Sequence, residues 1–261
     1  MITQIATIAG RVPRRVSSTG RLQQRLHPRL TPLLVLLGAS WLLVIVMSLM
    51  GDSHEHPHHR LEHSSLAALL SVVAAGQLMT LAMMGPSCLP AARHVAMNTL
   101  HPARTVPAFL VGYLLPWSGF LAAVAVGDVT LHRLSGEDGW LAQHDTVLPA
   151  LVLLLAAAWQ LTPAKRACLR SCRSGRVLPA GGHRADFGAL RFGTRHGLAC
   201  LGSCGPMMFV MLVSGSWQLL WMLALGWLIW LEKTRWLGRR LAHPTAAGFA
   251  VLSAVLVFLQ T

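Results

Sequence analysis

Apolar runs of roughly 15 to 22 residues recur along the whole chain, the length a helix needs to cross a hydrocarbon layer about 30 Å thick. Of the 261 residues, 54% are hydrophobic and only 12% charged, which leaves no stretch polar enough for a soluble domain. Seven runs stand out, at about 32–50, 66–84, 106–127, 142–161, 197–214, 217–231 and 246–261. The last two are short for a bilayer. The joint Ser214-Gly215-Ser216 leaves room only for a tight helical hairpin. The fold expected is all-α: a polytopic transmembrane helical bundle of about seven spans at 32–261, preceded by a basic, disordered cytoplasmic arm at 1–31.

The arm carries Arg11, Arg14, Arg15, Arg21, Arg25 and Arg29 and no acid, so it has the look of a polycation lying on anionic lipid. A transit peptide or a misplaced start has the same composition. The net charge of +13 would suit nucleic acid, but its placement argues against that. Under the seven-span reading, all the Lys and Arg residues except Arg60 and Arg133 fall on one side of the membrane. Asp52, Glu55, Glu62, Asp128, Glu137, Asp138 and Asp145 fall on the other. Cations mark the cytoplasmic side, so the orientation expected is N-in/C-out.

That orientation puts all five cysteines at one face of the membrane. Cys168 and Cys172 follow the fourth span among cations, and Cys200 and Cys204 enter the fifth. Each pair is spaced i, i+4, so its sulfurs share one helix face. Cys88 ends the second span, one turn after Met84, with Met83 beside it and Thr80 on the same line. Pro86 and Pro90 should make that span end irregular, and Pro206 should kink the fifth helix beside Cys204. Gly197, Gly202 and Gly205 should admit a close neighbour. His196, Cys200, Cys204, Met208 and Met211 fall near one stripe of that helix.

Four thiols and several thioethers between Pro163 and Met211 are soft donors, and soft donors select Cu(I) above other ions. Against this stand plainer readings. Methionines in apolar helices are mostly packing filler, and a buried cysteine is usually a small hydrophobe. A closed four-thiolate zinc site also fits the spacing. The Cys-x3-Cys pairs are not the Cys-x-x-Cys of thiol oxidoreductases, which weakens a redox reading. In a reducing cytoplasm, thiols or metal thiolates are expected rather than disulfides. On the opposite face, His54, His56, His58, His59 and His63, with Asp52, Glu55 and Glu62, form an exposed metal-collecting tract or simply a polar loop. Gln77, Gln160 and Gln218 can bond between helices, and Glu232-Lys233 reads as an interfacial ion pair. No nucleophile–base pair, nucleotide loop or paired acid is present, so the chain does not read as an enzyme.

In combination, several motifs resemble a known family. They are Met83-Met84-x-Pro86-x-x-x-Pro90; Trp159-Gln160-Leu161-Thr162-Pro163-x-Lys165-x-x-Cys168-Leu169-x-x-Cys172-Arg173; His196-Gly197-Leu198-x-Cys200-Leu201-Gly202-x-Cys204; Trp221-Met222; and Glu232-Lys233. Together they look like the bacterial family of predicted metal-binding integral membrane proteins, which includes the membrane copper chaperone serving a bacterial tyrosinase. The match covers about 66–233. It implies a copper-binding protein of the bacterial inner membrane that supplies a copper-dependent enzyme. It also assigns Met83, Met84, Cys168, Cys172, Cys200 and Cys204 to the site. From their own positions in the chain, Cys88, Met208 and His196 join them as candidate metal ligands. The family's last motif often carries two adjacent cysteines followed by an aromatic residue; this chain has Ser203-Cys204-Gly205 instead.

Overall fold

A computed structural model describes residues 30–49, 66–135, 147–175, 177–213, 218–233 and 240–258. Among these residues all regular structure is helical, in eight helices: α1 (Thr31–Leu49), α2 (Leu66–Asn98), α3 (Pro102–Ser135), α4 (Val147–Leu161), α5 (Pro163–Arg173), α6 (Gly182–Val213), α7 (Gln218–Lys233) and α8 (Ala242–Phe258). Three stretches are long and apolar enough to cross a membrane: Thr31–Ser48, Leu69–Asn98 and Pro102–Gly127. Helices α4 and α5, bent by 67° at Thr162, make a fourth if they count as one broken span. Three or four helices thus meet the test of length and apolarity, against the seven expected. The 16 residues of α7 and 17 of α8 fall short of the roughly 20 that a bilayer requires. The basic arm (apart from Leu30 and Thr31) and the His54–His63 tract lie outside the described residues.

Several helices run past the ends expected for them. α2 continues through both Pro86 and Pro90 to Asn98, and α6 through Pro206. A proline removes one helical hydrogen bond but need not end a helix whose neighbours hold it in place. α6 also starts about four turns early, because its first half is amphipathic. Ala185, Ala189, Phe192 and His196 are buried while Arg184, Arg191 and Arg195 are exposed. The break at Thr162 has a local cause. Thr162 is extended and its hydroxyl accepts from the Lys165 amide, while Pro163 fills the first turn of α5.

The two most intimate neighbours are α3 and α6, which touch through their backbones. A Cβ on Gly193 would run into the Phe109 carbonyl, and one on Gly112 into the Leu190 carbonyl. Small residues let helices approach this closely without a hydrophobic drive between them. Gln77 on α2 donates to the Leu114 carbonyl (3.1 Å) and to Ser118 Oγ (2.5 Å) on α3, the interhelical role expected of it. Ser253 on α8 donates to the Ala150 carbonyl on α4 at 2.9 Å. Gly193→Ala should therefore lower stability by roughly 1–3 kcal/mol, the cost of overpacking, because the atom it meets is backbone. Thermal unfolding in detergent would show this; an unchanged midpoint would mean that the helices can part freely.

Inside the bundle, Met83, Met84 and Cys88 of α2 meet Tyr113 and Trp117 of α3, Cys200, Cys204, Met207 and Met208 of α6, and Met222 and Ile229 of α7. Outside it, Val111, Leu115, Leu155, Leu220 and Trp227 stand well exposed. A surface this apolar calls for lipid or another protein against it.

Candidate metal centre

The sulfur-rich core is built from two facing helix turns. On α6, Cys200 and Cys204 lie one turn apart, and their sulfurs are 3.7 Å from each other. On α2, Met84 points across, with its Sδ 3.7 Å from Cys204 Sγ. Cys204 Sγ also donates to the Cys200 carbonyl at 2.8 Å, as a thiol does to the turn before it. All three side chains are at most 1% exposed. Cys200 has two further neighbours. The Tyr113 hydroxyl on α3 is 3.2 Å from its sulfur, and the Lys233 ammonium at the end of α7 donates to it at 3.0 Å. Lys233 also donates to Ser87 Oγ on α2 at 2.8 Å.

The other pair approaches from α5. Cys168 sulfur lies against the α6 backbone, so that a Cβ on Gly202 would stand 2.6 Å from it. Cys172 packs on the same core, within electrostatic reach of Cys200, Cys168 and Lys233. All five cysteines are free thiols. Cys88 and Met208 are buried in the same core. Met83 is turned toward α7, where Gly226 makes room for its methyl. His196 is ringed by Phe109, Tyr113 and Phe192, and its Nε2 is buried with no hydrogen-bond partner. Of the three glycines expected to admit neighbours, Gly202 faces Cys168 and Gly197 faces the Tyr113 carbonyl, whereas Gly205 touches only its own helix.

The structure thus brings Met84, Cys200 and Cys204 together and packs Cys172 against the same core, whereas Cys168 lies over Gly202, on the far side of α6 from the Cys200 and Cys204 sulfurs. Among the described residues no three His, Cys, Asp or Glu side chains gather as they would around a metal ion. The donors in close contact are two thiols and one thioether.

Glu232 and Lys233 do not pair with each other, contrary to the sequence expectation, because successive residues leave a helix in different directions. Glu232 accepts from the Lys165 ammonium at 2.6 Å, and Lys165 also donates to Gln160 Oε1. Lys165 and Glu232 are both at most 3% exposed. Lys165 is therefore an interior cation and not one of the loop charges. Arg173 donates through Nη2 to the Glu232 carbonyl (2.7 Å) and through Nε to the Lys233 carbonyl (3.1 Å), so α5 also caps the end of α7. The sequence offered one hint of this network, Gln160 and Glu232 set at the ends of apolar runs, while Lys165 was masked by the cations around it in Pro163–Arg173. Tyr113 gave no such hint, since its role depends on the register of α3 against α6.

Comparison with known proteins gives one family. A family model described as PpoB2, copper chaperone, matches residues 73–256, more than half of the chain. No curated protein and no solved structure matches it.

Proposed function

Since the chain belongs to the PpoB2 copper chaperone family, we propose that it is a multi-pass membrane protein that holds Cu(I) on Cys and Met side chains and passes it to a copper-dependent enzyme. The family role is carriage of the metal and not catalysis. The observation that carries the finer reading is the contact of Cys204 with Cys200 and Met84, each sulfur 3.7 Å away. Two sulfurs at 3.7 Å can both bond one ion at about 2.3 Å, with an angle of about 107° between the bonds. Two thiolates and a thioether suit a soft monovalent ion, and Cu(I) is the softest of the common biological ions. Two thiolates and Cu(I) leave one net negative charge in a buried place. The Lys233 ammonium, 3.0 Å from Cys200, offsets it. Cys172, packed on the same core, is the neighbouring thiol onto which the ion exchanges, with Cys168 one turn before it on α5. The seven-span, N-in/C-out arrangement in the bacterial inner membrane belongs to this proposal, because it places all these sulfurs near the cytoplasmic face.

The test is elemental analysis of the intact protein, purified in detergent and loaded with Cu(I) without oxygen. The wild type should retain copper, and a variant with Cys168, Cys172, Cys200 and Cys204 all changed to Ser should lose it. Equal copper in both, or tightly held zinc in place of copper, would overturn the reading.

A further inference from the structure

A cavity of about 480 Å³ opens beside the sulfur core, and its wall includes Ser87, His94, Cys172, Arg173, His196 and Lys233. We infer that this cavity receives Cu(I) as a complex with a small anionic thiol and that Cys172, with His196 beside it, takes the ion from that carrier. The inference rests on the copper-holding function proposed above and extends it to the species that supplies the metal.

Four observations meet here. The volume is in the range of small-molecule sites. The charged side chains among the lining residues, Arg173 and Lys233, are both cations, so the cavity favours a carboxylate-bearing guest. A soft donor, Cys172, stands in the wall, and Lys233 joins the wall directly to Cys200. His196 is 5% exposed, its Nε2 has no partner, and it lines this cavity as well as a second one of about 570 Å³ that contains Cys168. A buried imidazole nitrogen without a partner is costly unless something binds it. The residue lines both the cavity that holds Cys172 and the one that holds Cys168, so a turn of its ring would offer that nitrogen as a second donor for an ion in transit.

Cu(I) partitions onto thiolates, so a small thiol is a carrier whose donor chemistry fits the ion. The exchange balances without any redox change. A bond forms between copper and the Cys172 sulfur, the bond between copper and the carrier sulfur breaks, and the Cys172 proton passes to the departing carrier thiolate. Copper stays monovalent throughout and moves next to Cys200 and Cys204.

Two measurements test this on the full chain in detergent. In the first, the wild type is treated with anionic and with cationic methanethiosulfonate reagents, and labelling of Cys172 is followed by peptide mass spectrometry. The anionic reagent should react about tenfold faster, the lower end of electrostatic steering into a charged cleft. In the second, copper uptake from Cu(I)–glutathione and from Cu(I)–acetonitrile is followed by thiolate-to-copper absorbance. Cys172→Ser should slow uptake from glutathione by a larger factor than it slows uptake from acetonitrile. Equal labelling by both reagents, or uptake from glutathione at the wild-type rate by Cys172→Ser, would overturn the receiving role and leave copper holding intact. Failure of the wild type to take copper from either source would overturn both. The labelling comparison needs no substitution, so it decides the matter even if the variant does not fold.

Discussion

Replacing Cys204 with Ser is expected to weaken Cu(I) binding by more than about 100-fold, because loss of even an outer-shell partner costs 10–100-fold and Cys204 is placed as a ligand. A factor of 100 corresponds to about 2.8 kcal/mol. Cys204 is the thiol that touches both other sulfurs, at 3.7 Å each, so its removal leaves Cys200 and Met84 without a shared neighbour. A serine hydroxyl can still donate to the Cys200 carbonyl, which the thiol does at 2.8 Å, so the helix turn should survive. The hydroxyl is a hard donor, however, and Cu(I) gains little from it. Met84→Leu should cost less, since it keeps the volume and removes only a neutral thioether. Competition against a chromophoric Cu(I) chelator measures both variants. Wild-type affinity in Cys204→Ser would show that copper sits elsewhere.

Much of this arrangement can be traced back to residue spacing, and the failures have physical reasons. The i, i+4 rule put Cys200 beside Cys204, and their sulfurs do meet. Apolar runs located the helices but not their ends. The stretch before Gly197 is so rich in cations that its composition suggests a loop, yet Ala185, Ala189, Phe192 and His196 fall at helical intervals and are all buried. Charge content hid a periodicity that was present. Two prolines similarly suggested that α2 ended near Met84, whereas the packed helix passes through them. The contact of Met84 with Cys204 joins residues 120 apart, and that of Lys165 with Glu232 joins residues 67 apart. Pairings of that kind depend on how helices stack, which no local pattern encodes.

That buried pair carries the other large effect. Lys165→Met is expected to destabilise the protein by about 3–5 kcal/mol, the cost of removing one partner from a buried ion pair. The reason lies in what remains. Glu232 Oε1 already has no hydrogen-bond partner, so loss of the 2.6 Å bond from Lys165 would leave the whole carboxylate unpaired in the interior. Lys165→Met/Glu232→Met should recover most of the loss, because two well-packed thioether chains replace an ion pair of similar volume at little cost. Unfolding in detergent, followed for the two variants and the wild type, separates these outcomes. A single variant within about 0.5 kcal/mol of wild type would be behaving as a surface substitution, and the pair would then not be interior. The same comparison bears on the metal. Glu232 is the residue before Lys233, and Arg173 grips the carbonyls of both. A carboxylate forced to seek water would drag Lys233 away from Cys200, so copper affinity should fall in Lys165→Met and return in the double variant. If stability returned without affinity, the ion pair would be holding the site in shape by a route other than Lys233.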